Sequence, residues 1–269
     1  MPESSELVDD GLPIPTVGQW SSKKHYYLMR YMDAFTTSMR DKWGGLHYVD
    51  LFAGAGIERL RKSKTLEWGS PMLAAQTRFP FNGLHLCEKS RPKHKALSAR
   101  TARIRRDCQI VHGDANEKVD EVVAAIPRKT LSLAFLDPYG LHLEFETIRK
   151  LSDVRADLII FFPDHLDALR NWERHYLKNP DSNLDRCLGA AVNWRSILDA
   201  TPPGRLAEVL RGLYVKQIGT LGYTVRISAD KRQRPSALHT HFLFAQQSRC
   251  QAVARHFKQG IRQPAQVAI

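Results

Sequence analysis

Four places along this chain set carboxylates at the ends of apolar runs, three of them close to glycine, proline or aromatic residues, a pattern suited to holding a nucleotide-like ligand. The run His47-Tyr-Val-Asp-Leu-Phe-Ala-Gly-Ala-Gly56 breaks a short strand with two glycines, Gly54 and Gly56, and seats Asp50 before them. Glycine carries no Cβ, so backbone in such a turn can come close to a ligand at the carboxyl end of a parallel strand. Glu88 follows the apolar run Gly83 to Cys87, where a carboxylate can accept hydrogen bonds from a ribose diol. Asp114 stands in Gly113-Asp-Ala-Asn116, where it could accept from an adenine amino group or cap the helix that follows. Asp137-Pro138-Tyr139-Gly140 closes the next apolar run. The four together are far more specific than a lone glycine-rich turn.

Those residues need a sheet to bring them together, and the surrounding pattern supplies one. Strands are expected over His47 to Ala53, Gly83 to Cys87, Cys108 to His112, Leu131 to Leu136 and Asp157 to Phe162, the last without alternation, as a parallel strand buried on both faces should be. Helices alternate with them: one opening at Ser70-Pro71, then Arg91 to Ile104, Glu117 to Ile126 and Phe145 to Leu151. Ser22 to Arg40 carries Tyr27, Met29, Tyr31, Met32, Phe35 and Met39 at helical spacing, an amphipathic helix ahead of the sheet. After Pro163 the pattern is helical and irregular, with a polar loop over Lys178 to Asn183. A helix from Pro203 to Leu221, strands Tyr223 to Ser228 and Leu238 to Ala245 that could pair antiparallel, and a helix from Ser248 to Gly260 complete the chain.

The domain reading is a flexible tail over 1–18, one domain over 19–262 with its core at about 46–163 and 203–262, an inserted helical segment at about 164–202, and a short tail over 263–269. No apolar run approaches the roughly 20 residues that span a bilayer, so a soluble protein is expected. Four scattered cysteines, Cys87, Cys108, Cys187 and Cys250, show no CxxC spacing, which argues against a zinc site or a disulfide framework and fits a reducing cytoplasm. No metal is expected.

Lys and Arg total 40 against 28 Asp and Glu in 269 residues, a net charge of +12 that favours a polyanionic partner. The basic residues concentrate in Arg59 to Lys64, Arg91 to Arg106 and Lys231 to Arg234. Lys231, Arg232 and Arg234, on a loop between strands, and Lys23 and Lys24, at the start of the first helix, are the candidate nucleic-acid contacts.

In this order the motifs resemble those of class I S-adenosylmethionine-dependent methyltransferases, over about Tyr48 to Phe162 and, more loosely, the terminal strand pair. The resemblance implies a Rossmann-like α/β fold: a mostly parallel seven-stranded sheet with an antiparallel terminal hairpin and helices on both faces. It implies S-adenosylmethionine as cofactor, with Asp50, Phe52, Gly54 and Gly56 on the methionine side, Glu88 on the ribose, and Asp114 and Ala115 on the adenine. Asp137-Pro138-Tyr139-Gly140 looks like the acidic-proline-aromatic motif of enzymes that methylate base nitrogens, with one proline where adenine-N6 enzymes have two, and closer to some transfer-RNA guanine methyltransferases. The resemblance makes Asp137, Pro138 and Tyr139 the catalytic set, with Tyr139 stacking on the base. Cytosine-C5 chemistry is rejected, since its cysteine nucleophile follows a proline and none of the four cysteines does. Nicotinamide chemistry is disfavoured because Arg59 stands where the dinucleotide fingerprint has its third glycine.

Over most of its length the chain also looks like the three-Cys-motif partner proteins, through Tyr48 to Gly56, Gly69-Ser-Pro71, Cys87-Glu88, Gly113 to Asn116, Phe135 to Gly140 and Leu238 to Phe244. That resemblance implies a three-cysteine, radical-SAM-like companion protein as a partner.

Overall fold

The computed structural model describes residues 7–104, 107–162, 176–189, 192–228 and 241–247. Its main sheet has seven strands: β2 (Leu46–Asp50), β5 (Gly83–Glu88), β6 (Cys108–His112), β7 (Leu131–Leu136), β8 (Ala156–Phe162), β9 (Tyr223–Ser228) and β10 (His241–Gln247). They lie in the order β6-β5-β2-β7-β8-β10-β9. β2 pairs parallel with both β5 and β7, and β10 alone is reversed, antiparallel to β8 and to β9. Every residue of β2, β5, β7 and β8 is buried, which is why these strands read as apolar runs.

One face of the sheet is covered by α1 (Trp20–Met39), α2 (Ser70–Ala75) and α3 (Arg91–Ala102), through Leu28, Tyr31, Met32, Phe35, Ala74 and Leu97. The other is covered by α4 (Ala115–Ala124), α5 (Phe145–Ser152), α6 (Asn183–Leu188), α7 (Trp194–Asp199) and α8 (Leu206–Thr220), through Val119, Ile148, Leu188, Trp194 and Tyr214. The described part of the inserted segment thus packs into the core. The expected helix at Ser248 to Gly260 lies outside the described residues. Among the described residues no helix is long and apolar enough to cross a membrane.

Two features depart from expectation. The basic run after the glycine turn is a hairpin of β3 (Ile57–Leu60) and β4 (Leu66–Trp68), with Lys64 at φ 61° in its turn, in a stretch for which no strand was expected. β1 (Thr16–Val17) adds parallel to β3 and completes a small second sheet. The residues expected as a flexible tail are therefore bound from Asp9 onward, where Asp9 pairs with Arg59 (2.6 Å). Arg100, 2% exposed, donates to both oxygens of Asp10 (2.9 and 2.6 Å), to the carbonyl of Pro13 (3.1 Å) and to that of Ala55 (2.6 Å). A basic helix residue expected on a polyanion-binding surface is instead the buried clasp between the N-terminal strap and the glycine turn. Its hydrogen bonds to Asp10 hold that carboxyl below its ordinary value.

A polar chain crosses the sheet near the amino ends of the strands. His85 Nδ1 lies 3.1 Å from Gln109 Oε1, and His85 Nε2 lies 3.0 Å from His47 Nδ1. With Gln109 accepting, His85 carries its proton on Nδ1 and accepts from His47, so a second proton on His85 would set two N–H groups against each other. Burial first, and then the neighbouring His85, push the His47 pKa down to about 4. The unfolded chain, with His at 6.5, binds the proton that the folded chain refuses. Stability is therefore present above about pH 6.5 and is lost as pH falls toward about 4. In urea melts from pH 7.5 to 4.5, wild type should lose about 1–2 kcal/mol more than His47→Asn; equal losses would contradict this.

Candidate functional site

In a parallel sheet the carboxyl ends of the strands share one edge, and the crevice opens where the strand order reverses, here between β2 and β7. Asp50, Glu88, Asp114 and Asp137 all stand on that edge, at or just past the ends of β2, β5, β6 and β7.

The turn after β2 is built by glycine and held by carboxylates. Gly54 and Gly56 adopt φ of 68° and 85°, a left-handed region costly for other residues. A Cβ on Gly56 would come within 3.1 Å of Met72, whereas one on Gly54 would meet nothing within 4 Å, so the turn is packed from below and open above. Asp50 sits beneath it, fully buried, accepting from Ser70 Oγ (2.6 Å), Tyr48 Oη (3.2 Å) and the Phe52 amide (3.1 Å). Burial drives the Asp50 pKa up to about 7, with those hydrogen bonds opposing. Its carboxylate is used up in shaping the turn. Ser70, the first residue of α2, gives its hydroxyl to Asp50, and Gly69 is the residue that caps the helix.

Glu88 is 8% exposed, and each of its oxygens takes one backbone N–H: Gly54 on Oε2 (2.9 Å) and Ser90 on Oε1 (2.7 Å). It clamps the turn across two strands, and each carboxylate oxygen keeps a lone pair for another donor. Asp114 caps α4 through the Asn116 amide (2.9 Å) and accepts from Lys89 Nζ (3.0 Å). Partial burial opposes, but those two donors win and hold the Asp114 carboxyl below its ordinary value. Ala115 is buried against the sheet.

Asn116, which the sequence did not single out, ties the loop after β7 to α4. It donates to the carbonyl of His142 (2.8 Å) and accepts from the Glu144 amide (3.1 Å) and Thr147 Oγ1 (2.7 Å). Beside Asp114 this leaves a polar cavity of about 290 Å³ lined by Asn116, His142, Asn183 and Arg186 among others. Only a tertiary contact between residues 26 and 31 apart could reveal that role.

The largest correction concerns Lys24. Expected as a nucleic-acid contact, it is 3% exposed and its ammonium pairs with Oδ2 of Asp137. It also lies 4.6 Å from the ring centroid of Trp20 and 5.5 Å from that of Phe161 at the end of β8. Burial, and then this ammonium, push the pKa of neighbouring His25 down to about 3, so His25 is neutral. The start of α1 is fixed over the edge by Ser21 Oγ on Glu58 (2.6 Å) and Ser22 Oγ on Glu67 (2.8 Å), both on the β3–β4 hairpin. Lys23, next to it, is exposed. Pro138 is buried and Tyr139, 92% exposed, projects into solvent. Lys231, Arg232 and Arg234 lie outside the described residues. Cys87 is buried, its thiol pushed up to about 12 chiefly by burial, which leaves it inert.

No protein-family model matches the sequence, and no curated protein matches it. Solved structures do. A protein from Legionella pneumophila is 12% identical, covers 81% of this chain and 84% of its own, and superposes with a TM-score of 0.50. The O-methyltransferase TomG of Streptomyces achromogenes, solved with SAM, is 11% identical over 83% of this chain and 79% of its own, TM-score 0.49. TYW2 of M. jannaschii, solved with AdoMet, is 12% identical over 84% and 74%, TM-score 0.42. The strand order, its single reversed strand and the glycine turn at the end of β2 establish that the chain has the Rossmann-like class I methyltransferase fold.

Proposed function

We propose that this chain is an S-adenosylmethionine-dependent methyltransferase that modifies nucleic acid at a base nitrogen. The observation that carries the reading is the end of β7, where a partly exposed carboxylate, a buried proline and an exposed tyrosine follow one another beside the crevice. The turn has room for the cofactor above Gly54, and Glu88 keeps lone pairs for a ribose diol while clamping that turn. Phe52 and Gly56 belong to the methionine side, Asp114 and Ala115 to the adenine side. When bound, the cofactor supplies an electrophilic methyl group.

An amino group conjugated to a base is a poor nucleophile. Asp137, with a carbonyl at the rigid Pro138, accepts its hydrogens and turns its lone pair toward the methyl group. Lys24 holds Asp137 by Oδ2 and so fixes where Oδ1 faces. The net charge of +12 and the exposed hairpin tip at Arg61, Lys62 and Lys64 suit a phosphate backbone. Purified protein incubated with labelled S-adenosylmethionine and mixed DNA and RNA should transfer label to nucleic acid, and Asp137→Asn should not. Cofactor binding undetectable at millimolar concentration would overturn the reading.

The pairing of Asp137 with Lys24 favours a second reading, in which the chain acts only with the three-cysteine radical-SAM-like companion that frees the carboxylate. Robust turnover by the isolated chain would exclude it.

A further inference from the structure

We propose that Trp20 is the platform on which the acceptor base stacks, so that the substrate is an unpaired base in a single strand, and not a base within a duplex. This rests on the methyltransferase reading and deepens it. Trp20 is a large apolar side chain left 48% exposed, and the fold holds it in place. Its ring stacks on Phe161, with centroids 5.4 Å apart and planes at 11°. The Lys24 ammonium that touches Asp137 also lies 4.6 Å from the indole centroid, which sets the ring one side chain away from the reacting edge. Gly18 is what lets the indole sit there, since a Cβ on it would fall 2.4 Å from Trp20 Nε1. The Ser21–Glu58 and Ser22–Glu67 bonds then anchor the turn of helix that carries it.

A solvated surface tryptophan needs none of these devices. A flat π-face fixed beside a carboxylate acceptor suits a planar, nitrogen-bearing ring, and every base offers such a face. A base still paired and stacked would present neither its ring to the indole nor its amino group to Asp137. Tyr139, 92% exposed on the loop after Asp137, adds a second free aromatic at the same edge.

The test uses the full chain with single-stranded RNA and DNA oligonucleotides and the matching duplexes, read by tryptophan fluorescence and by affinity. Binding of S-adenosylhomocysteine is measured separately by calorimetry. Single strands should bind tighter than duplexes and quench the wild-type fluorescence, with the Trp20 part of the quench missing in Trp20→Phe. Trp20→Leu should weaken single-strand binding by about 5- to 100-fold, while Trp20→Phe keeps most of the affinity. Gly18→Ala, which keeps the indole but unseats it, should lose affinity too. An unchanged affinity in Trp20→Leu, a preference for duplex, or no oligonucleotide binding overturns the proposal. Failure of wild type to bind S-adenosylhomocysteine sinks the methyltransferase reading instead, whatever the oligonucleotides do.

Discussion

Asp137→Ala is expected to lose both stability and activity, and a second substitution should restore only the first. Asp137 partners an ammonium that is 3% exposed, so removing the carboxylate leaves a buried charge without its counter-ion. Breaking such a pair from one side costs about 3–5 kcal/mol. The lower end is expected here, because the Asp137 side chain is 20% exposed and water can enter the vacated space. Methyl transfer should fall by about 10²- to 10³-fold, the scale for losing a positioned acceptor of the substrate's protons. Adding Lys24→Met removes the stranded charge and leaves an apolar chain beside the stacked Trp20 and Phe161 rings, so most of the stability should return while the rate stays low. Urea melts and single-turnover transfer on the two single variants and the double check this. Recovery of the rate along with the stability would make Asp137 a purely structural residue.

Arg100→Ala should have the largest effect on the fold itself. The guanidinium satisfies both oxygens of Asp10 and the carbonyls of Pro13 and Ala55 from a fully enclosed position. Its loss strands those acceptors and opens a gap beneath the glycine turn, with an expected destabilisation of about 3–5 kcal/mol, or roughly 10 °C in Tm. The strap over residues 7–17 should become cleavable under limited proteolysis, because β1 contributes only two paired residues without that clasp. Asp10→Asn, which keeps one acceptor oxygen, should lose less. A strap that stays resistant in Arg100→Ala would place its anchorage elsewhere.

Much of the scaffold was legible because its signals are local. Unbroken apolar runs mark strands buried on both faces, and the helices between them announce themselves by spacing. Once those strands are parallel, their carboxyl ends must share an edge, which brings Asp50, Glu88, Asp114 and Asp137 together without any knowledge of side-chain contacts. The glycine turn was equally plain, because only glycine tolerates φ of 68° and 85° at little cost.

What each carboxylate does was not legible. Asp50 looks like a ligand contact in sequence, yet it is enclosed and spends its oxygens on Ser70, Tyr48 and Phe52. The β3–β4 hairpin was hidden because the short charged strands of a small separate sheet lack a clear hydrophobic period.

The sequence by itself determined the sheet, the direction of its strands and the edge on which chemistry can occur, since periodicity and glycine act through neighbouring residues. Tertiary structure alone decided that Lys24 reaches Asp137 across 113 residues, that Arg100 reaches Asp10 across 90, and that Trp20 lies over Phe161. A lysine or arginine reads as solvated until a distant carboxylate is brought against it, because burying its charge is tolerable only once that partner is in place.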